Sequence, residues 1–435
     1  MKTDDGFLNL VTRVGQGAGN ALSNADYVKN DLTRNRERLD AIYRTSWVAG
    51  AIVDCIAEDM TRAGVDFVGD LQATTESYFQ KYLTRKSVWL SLKNAIKWAR
   101  LYGGAVAVID VDGQDLSTPL NLDSVAAGQF NGLRIFDRWE IEPDSQRFVG
   151  LDGEPEFYTI TNGARGFGLR IHYSRVLRFL GNDLPSHERR AENCWGASVL
   201  ERLFDRLVYF DNVTAGAAQL VEKAHLRVVR INNFKTALRS DNAVGSLVKY
   251  FDVMRYLQCN EGLTLLDKED EYQAHSYGFG GLDAMVLQFG QQLSGACGIP
   301  LVRLFGQSPA GLNATGESDL RLYYDNILSL QESRLRENLT RLFSVCFRAC
   351  FGEREPAGFD FNFQPLWQVS ALDKAAMAQS VSQSVLNAYS SGLLDASTAL
   401  QELKRASVEN GVFSAITDEL IAAARLDDAP MPEGV

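Results

Sequence analysis

Histidine, cysteine and serine are the residues of this chain best suited to nucleophilic or metal chemistry, and their spacing can be tested against known constellations. The nearest approach to a nucleophile elbow is Gly306-Gln307-Ser308-Pro309-Ala310-Gly311. This G-x-S-x-x-G run is one residue too long for the strained strand-to-helix turn of hydrolases, and Pro309 removes a backbone N–H aimed at an oxyanion. A two-histidine phosphoesterase needs two H-x-[ST] motifs. His172-Tyr173-Ser174 supplies one, and His187, His225 and His275 supply no second. His172 alternates with apolar residues, the pattern of a satisfied histidine in a sheet. The chain contains no Gly-Lys pair and hence no phosphate-binding P-loop, and no H-E-x-x-H zinc motif. Among six cysteines (Cys55, Cys194, Cys259, Cys297, Cys346, Cys350) there is no C-x-x-C. Cys346 and Cys350 stand at helical spacing, and the set reads as buried small hydrophobes in a reducing compartment. Asn212, Asn313 and Asn338 begin N-x-T triplets that are chance matches without secretion. The 55 acidic residues form no recognisable acid–base pair. No catalytic residue, metal site or cofactor is expected.

The elements that position these residues belong to a chain of 435 residues, long enough for two or three packed units. Its 44 basic and 55 acidic residues give a net charge of −11. That excludes a protein whose whole surface grips nucleic acid. The N-terminus carries acids where a signal peptide carries bases. The uncharged stretch Ala284–Val302 is long enough to cross a bilayer. It contains Gln288, Gln291, Gln292, Ser294, three glycines and Pro300, so a helix facing other protein is expected instead.

Residues 1–35 are polar and Gly/Asn-rich and read as a flexible arm. A helix is expected over 36–63, striped by Ile42, Ala49, Val53, Ile56 and Met60 and ended by Gly64. The strand Val65–Val68, a helical region over 71–102 and a stop at Gly103-Gly104 follow. Strands are expected at Ala105–Val111, Leu133–Phe136, Phe157–Ile160, Leu169–Tyr173 and Val176–Leu180. A helix of about 40 Å is expected over 198–224, striped by Leu200, Leu203, Leu207, Phe210, Ala217 and Leu220. Next comes a strand–helix–strand block: His225–Ile231, Ala243–Cys259 and Gly262–Leu266. Between 225 and 266 it holds six Lys/Arg against three Asp/Glu, a basic island on an acidic chain closed by the acidic run Asp267–Glu271. A nearly uncharged helix over 281–297 ends at Ile299-Pro300. The uncharged loop Leu304–Gly316, a helix over 317–351, an alternating strand at Phe359–Phe363 and helices near 371–391, 395–406 and 413–426 complete a helix-rich α+β chain.

Four segments carry a resemblance: Gly298–Ile327 (GIPLVRLFGQSPAGLNATGESDLRLYYDNI), Tyr43–Gly64, Ile171–Gly181 (IHYSRVLRFLG) and Trp195–Asp205 (WGASVLERLFD). They resemble the portal proteins, or head-to-tail connectors, of tailed bacteriophages, in a prophage-type subgroup with an uncharacterised-family label, over roughly residues 36–400. The resemblance implies a ring-forming portal fold with the following parts: wing (36–197), first stem helix (198–224), inserted clip (225–280), second stem helix (281–298), tunnel loop (299–316), long helix and wing strand (317–370), and crown-like C-terminal helices with an acidic tail (371–435). It implies a ring, of twelve copies in the particle, at one capsid vertex. The ring would nucleate capsid assembly with major capsid and scaffold proteins, dock the terminase large subunit and later a head-completion adaptor, and pass double-stranded DNA in packaging and ejection. Localisation would be the virion, with assembly in the host cytoplasm and no membrane.

These assignments fit the physics of a conduit. A conduit must not hold DNA, and each phosphate-bound cation adds affinity that a ring repeats in every subunit. An uncharged loop offering Gly306, Gln307, Ser308, Gly311, Asn313, Thr315 and Gly316 makes weak, sequence-blind contacts; the alternative is a Gly-rich connector packed on a neighbour. Arg227, Arg230, Lys235 and Arg239 are candidates for motor docking, against a merely solvated basic face. Gln288, Gln291, Gln292 and Gly295 are candidates for the stem interface, where a charge would be buried at a cost. Two other functions are weighed. A phosphoesterase or hydrolase of phage defence or counter-defence would use Ser308 or His172. A different head-completion ring protein would lack the stem–clip–stem order.

Overall fold

The computed structural model describes residues 30–69, 71–144, 147–149, 154–161, 166–223, 227–230, 271–274, 280–306, 316–367, 371–410 and 416–427, with Gly245, Lys249, Asp252 and Phe413 as isolated positions. The chain divides into two units, 1–363 and 364–435.

Unit 1 begins with two helices where one is expected. α1 (Arg36–Thr45) and α2 (Trp47–Arg62) are broken at Ser46, whose backbone is extended and whose hydroxyl accepts from the Ala49 N–H. A serine that caps the second helix competes with continuing the first. Ala49, Val53, Ile56 and Met60 are buried, and Ile42 is half-buried. β1 (Val65–Val68) lies where expected. The 71–102 region is likewise two helices, α3 (Ala73–Arg85) and α4 (Val88–Tyr102), parted at Ser87 with φ 52°. Gly103, with φ 91°, ends α4.

The central sheet is antiparallel with order β3–β2–β9, built from β2 (Gly104–Val111), β3 (Phe130–Asp137) and β9 (Val176–Leu180). α4 packs on this sheet. Strands alternate their side chains between faces. Val106, Val108 and Val176 accordingly join Trp195 and residues of β4 (Ile141–Pro143), β7 (Phe157–Ile160) and β8 (Arg170–His172) in one buried cluster. These last three strands form a second small sheet, β4–β7–β8. The short pair β5 (Phe148–Val149) and β6 (Glu154–Pro155) stands beside them in sequence, and α5 (Ser186–Ala191) follows β9. Trp195 lies against Gly104 so closely that a Cβ there would sit 2.2 Å from its indole.

Four further elements close the unit: α8 (Leu301–Phe305), α9 (Glu317–Arg334), α10 (Arg336–Phe351) and β12 (Asp360–Phe363). The single helix expected over 317–351 is thus divided at the fully buried Leu335, with φ −108°. β12 pairs antiparallel with β1, placing Phe361 opposite Phe67. Phe343 sits edge-on to both Phe67 and Phe361 at 5.3 and 5.1 Å, so the last strand of unit 1 is packed onto its first. Unit 2 holds α11 (Ala371–Ser390), α12 (Ala396–Asn410) and α13 (Asp418–Asp427), with α12 packing against both others. Residues 1–29 of the arm and 428–435 of the tail lie outside the described residues.

Candidate functional site

The helix expected over 198–224 begins later. α6 runs Phe204–Lys223, 20 residues and about 30 Å, and residues 198–203 form turns instead. Those turns are held from outside. The Ser198 N–H donates to Thr33 Oγ1 at 3.0 Å, and the Val199 N–H to the Arg100 carbonyl at 2.9 Å. Bonds to other elements replace the ladder that would extend the helix. Leu200, Leu203, Leu207 and Phe210 are buried, as the stripe requires. Farther along, Ala217 is only half-buried and Leu220 is 51% exposed.

α7 (Leu282–Cys297) packs beside α6 and runs antiparallel to it. Near its C-terminal end Gln292 Oε1 accepts from Arg206 Nη1 at 3.3 Å, close to the start of α6. Gly290 faces Phe210, 3.7 Å from the position of a Cβ, and Ala217 and Ala218 line a groove with Leu282 and Val286. This groove also takes in Trp47, Leu301 and Phe305 and is apolar along most of its wall. Trp47 stands edge-on to Phe305 at 5.6 Å yet remains 63% exposed.

The opposite face of α7 carries Gln288, Gln291, Gln292 and Gly295, all exposed in the protomer. The structure therefore puts these four candidates on one uncharged face, with Gln292 tied back to α6. α7 ends at Gly298, with φ 68°, and the Ser294 hydroxyl donates to the Ile299 carbonyl at 2.6 Å across the Pro300 break. Among the described residues no helix is long and apolar enough to cross a membrane.

Between α6 and α7 lies the inserted block. Its described strands are β10 (Arg227–Arg230) and β11 (Glu271–Ala274), antiparallel, with Arg230 in register with Glu271. The described partner strand is Glu271–Ala274, at the end of the acidic run; the expected closing strand, Gly262–Leu266, lies outside the described residues. Gly245, Lys249 and Asp252 are helical, inside the expected helix. Lys235 and Arg239 lie outside the described residues; Arg227 and Arg230 are placed on β10.

The candidate tunnel loop begins later than expected, because Leu301–Phe305 is a short helix (α8) ended by Gly306 with φ 67°. Gly316, with φ 61°, starts α9. Gln307, Ser308, Gly311, Asn313 and Thr315 lie outside the described residues. Both flanks of the loop are tied to one carboxylate. Asp59 on α2 is fully buried. Arg303 of α8 donates to it through Nε at 3.0 Å and Nη2 at 3.3 Å. The Tyr323 hydroxyl of α9 donates to it at 2.7 Å. Arg62 lies 3.3 Å from the same carboxylate, and Gln331 of α9 donates to the Met60 carbonyl at 2.8 Å. Burial pulls the Arg303 guanidinium down, but the bond to and charge of Asp59 outweigh it and hold its pKa above the ordinary value. Burial first, and then the Asp59 charge, push the Tyr323 phenol well up. Sequence reading missed Asp59, although it is an acid on the apolar face between Ile56 and Met60.

The enzymatic candidates divide. Ser308, His225 and His275 lie outside the described residues. His172 is buried on β8, with Nδ1 2.9 Å from Ser174 Oγ and its ring edge-on to Phe157 at 5.3 Å. Burial lowers its pKa. This is a satisfied sheet histidine, as expected. His187 is exposed beside Glu188. Among the described residues no cluster of His, Cys, Asp and Glu could hold a metal ion. Cys55 and Cys346 are buried, but Cys194, Cys297 and Cys350 are only half-buried, and all five are free. Cys259 lies outside the described residues. The expectation of uniformly buried thiols is corrected there. The half-buried sites follow their places: Cys297 ends α7, Cys350 lies in the last turn of α10, and Cys194 sits in a turn.

The family model described as "Phage portal protein" matches residues 37–387. A protein of Sphingomonas paeninsulae named "Anti-CBASS protein Acb1" is 28% identical, over 98% of this chain and 70% of its own length. An uncharacterised protein of Haemophilus influenzae is also 28% identical, over 89% of this chain and 86% of its own length. Among solved structures, the neck of the native GTA particle, computed with C12 symmetry, contains a chain similar to this one at TM-score 0.52 and 15% identity. The match covers 85% of this chain and 93% of that one.

Proposed function

This chain belongs to the phage portal protein family, and from that premise we propose that it forms a ring at one capsid vertex. The ring seeds assembly with capsid and scaffold proteins, docks the terminase large subunit and then a head-completion adaptor. It is the channel for packaging and ejecting double-stranded DNA. The observation that carries this reading is the antiparallel α6–α7 pair bearing an inserted strand pair at its far end and the Asp59-anchored loop flanks near its root. In the portal reading these are stem, clip and tunnel loop. The uncharged α7 face and the exposed end of the α6 stripe then meet the neighbouring subunit in a closed, head-to-tail ring. The clip cations Arg227, Arg230, Lys235 and Arg239 face the motor. Gln307, Ser308, Asn313 and Thr315 line the channel, with Gly306, Gly311 and Gly316 shaping the loop.

Electron microscopy with light scattering tests the proposal. Twelve copies of a 48.2 kDa chain give a ring with a central hole at about 580 kDa. A small particle that does not close into rings at high concentration or with scaffold overturns it. The name of the Sphingomonas paeninsulae relative favours one rival, a counter-defence phosphoesterase. Against it, this chain has a single H-x-[ST] motif, and that relative extends beyond the match, which covers 70% of its length. Phosphodiester turnover by the purified chain that is lost on His172→Ala or Ser308→Ala would establish the rival.

A further inference from the structure

Unit 1 holds a cleft of about 650 Å³ lined by β9, α4, α9 and α10, and the portal reading makes no use of it. Arg100, Arg178 and Arg341 line it. A guanidinium withdrawn from water normally faces a carboxylate, because an unpaired cation there is costly. These three instead spend their hydrogen bonds on backbone carbonyls. Arg100 donates to Ile52 and Val53 at 2.8 and 3.2 Å, and Arg341 to Tyr173 and Ser174 at 3.2 and 2.9 Å. Arg178 donates to the Cys194 carbonyl, while its Nε and Nη1 are buried with no partner. Among the described residues none of the three forms an ion pair, whereas Arg334 in the same wall is paired with Asp183 at 3.1 Å.

Arg178 and Arg341 line the same cleft from two elements. The Tyr158 phenol is driven to about 12 by burial, against the opposing fields of both guanidinium groups. Arg178 comes from the sheet and Arg341 from helix α10, so a group between them would be gripped from two sides. Glu154 and Glu337 also line the cleft. They repel an extended polyanion and leave room for one compact negative group.

We propose that this cleft binds a small oxyanion, a phosphate or phosphomonoester, between the Arg178 and Arg341 guanidinium groups. The planar fork of arginine matches two oxygens of a phosphate, and charge-assisted bonds of this kind are about twice as strong as neutral ones. The site does not depend on the portal reading.

Equilibrium dialysis of the full-length chain against labelled inorganic phosphate at low ionic strength tests it, with thermal melting in parallel. Saturable uptake of one phosphate per chain is expected, with a melting temperature that rises as phosphate is added. Arg178→Gln and Arg341→Gln should each weaken binding by about tenfold or more, with unchanged circular dichroism. Arg341 is half-buried on a helix, so its variant decides the matter if Arg178→Gln does not fold. Absence of saturable uptake by the unaltered chain, or uptake unchanged in the folded variants, overturns the proposal.

Discussion

Removing the Asp59 carboxylate is the sharpest perturbation of the loop anchor. Asp59→Ala deletes an acceptor of Arg303 Nε and Nη2 and of the Tyr323 hydroxyl, and removes the carboxylate beside Arg62. Breaking a buried pair by losing one member costs about 3–5 kcal/mol, mostly from the charge left behind. Here the Arg303 side chain is 28% exposed and keeps a second carboxylate, Glu58, at 3.4 Å, so the lower end, about 3 kcal/mol, applies. Urea unfolding of the monomeric chain, followed by tryptophan fluorescence, measures this. Five of the six tryptophans lie in unit 1. Tyr323→Phe removes one hydrogen bond to a charged acceptor and should cost about 1.5–3 kcal/mol. The decisive step is a double-mutant cycle, Asp59→Leu with Arg303→Met. Two apolar side chains together should cost less than the sum of the single changes, by more than about 1 kcal/mol. A loss below about 1 kcal/mol for Asp59→Ala, or a cycle additive to within about 0.5 kcal/mol, refutes the anchor.

Three further outcomes follow from other parts of the molecule. Gly181→Ala would place a Cβ 2.3 Å from the Ala197 carbonyl and 2.8 Å from that of Ala99. Backbone cannot swing aside as a side chain can, so a loss of about 3 kcal/mol is expected in the same urea assay. His172 has a folded pKa below its ordinary 6.5 because of burial. As pH falls below 6.5 the unfolded chain takes the proton first, so stability is full above that pH and drains away beneath it. His172→Asn should flatten the fall of melting temperature between pH 6.5 and about 5, and an unaltered slope would contradict the burial argument. Gln288→Glu with Gln291→Glu adds two charges to the exposed α7 face. Monomer stability should move by no more than about 0.5 kcal/mol while rings fail to form in light scattering.

Much of the fold was legible because hydrophobic period and glycine punctuation act locally. β1, β7 and β9 fall on their expected residues, and Gly103 stops α4 through its left-handed backbone. The breaks were illegible for equally local reasons that apolar periodicity does not report. Ser46 and Ser87 interrupt helices whose stripes read straight through them, one by capping and one by a left-handed backbone at a residue that rarely takes it. The delayed start of α6 depends on Thr33 and Arg100, far away in sequence, and no window around 198–203 contains that information. Asp59 was hidden for the same reason. An acid at a core position reads as an exposed interruption until Arg303 and Tyr323, more than 240 residues on, are seen to meet it.

The α6 helix poses a last question of burial. Periodicity assigns Leu200 through Leu220 to one continuous apolar stripe, and such a stripe exists to be covered. The protomer covers only its first half, Leu200 to Phe210, and leaves Leu220 open. α7 cannot supply the missing cover, since its near side is already spent on Phe210 and its far side shows glutamines and small residues. A lone monomer would therefore carry an uncovered apolar edge beside a groove holding the exposed Trp47, an arrangement that invites association. A neighbouring copy presenting its uncharged α7 face fits that need without burying a charge. Because the covering and covered surfaces are different parts of the same chain, each copy offers both, and head-to-tail association leaves none unpaired only when it closes.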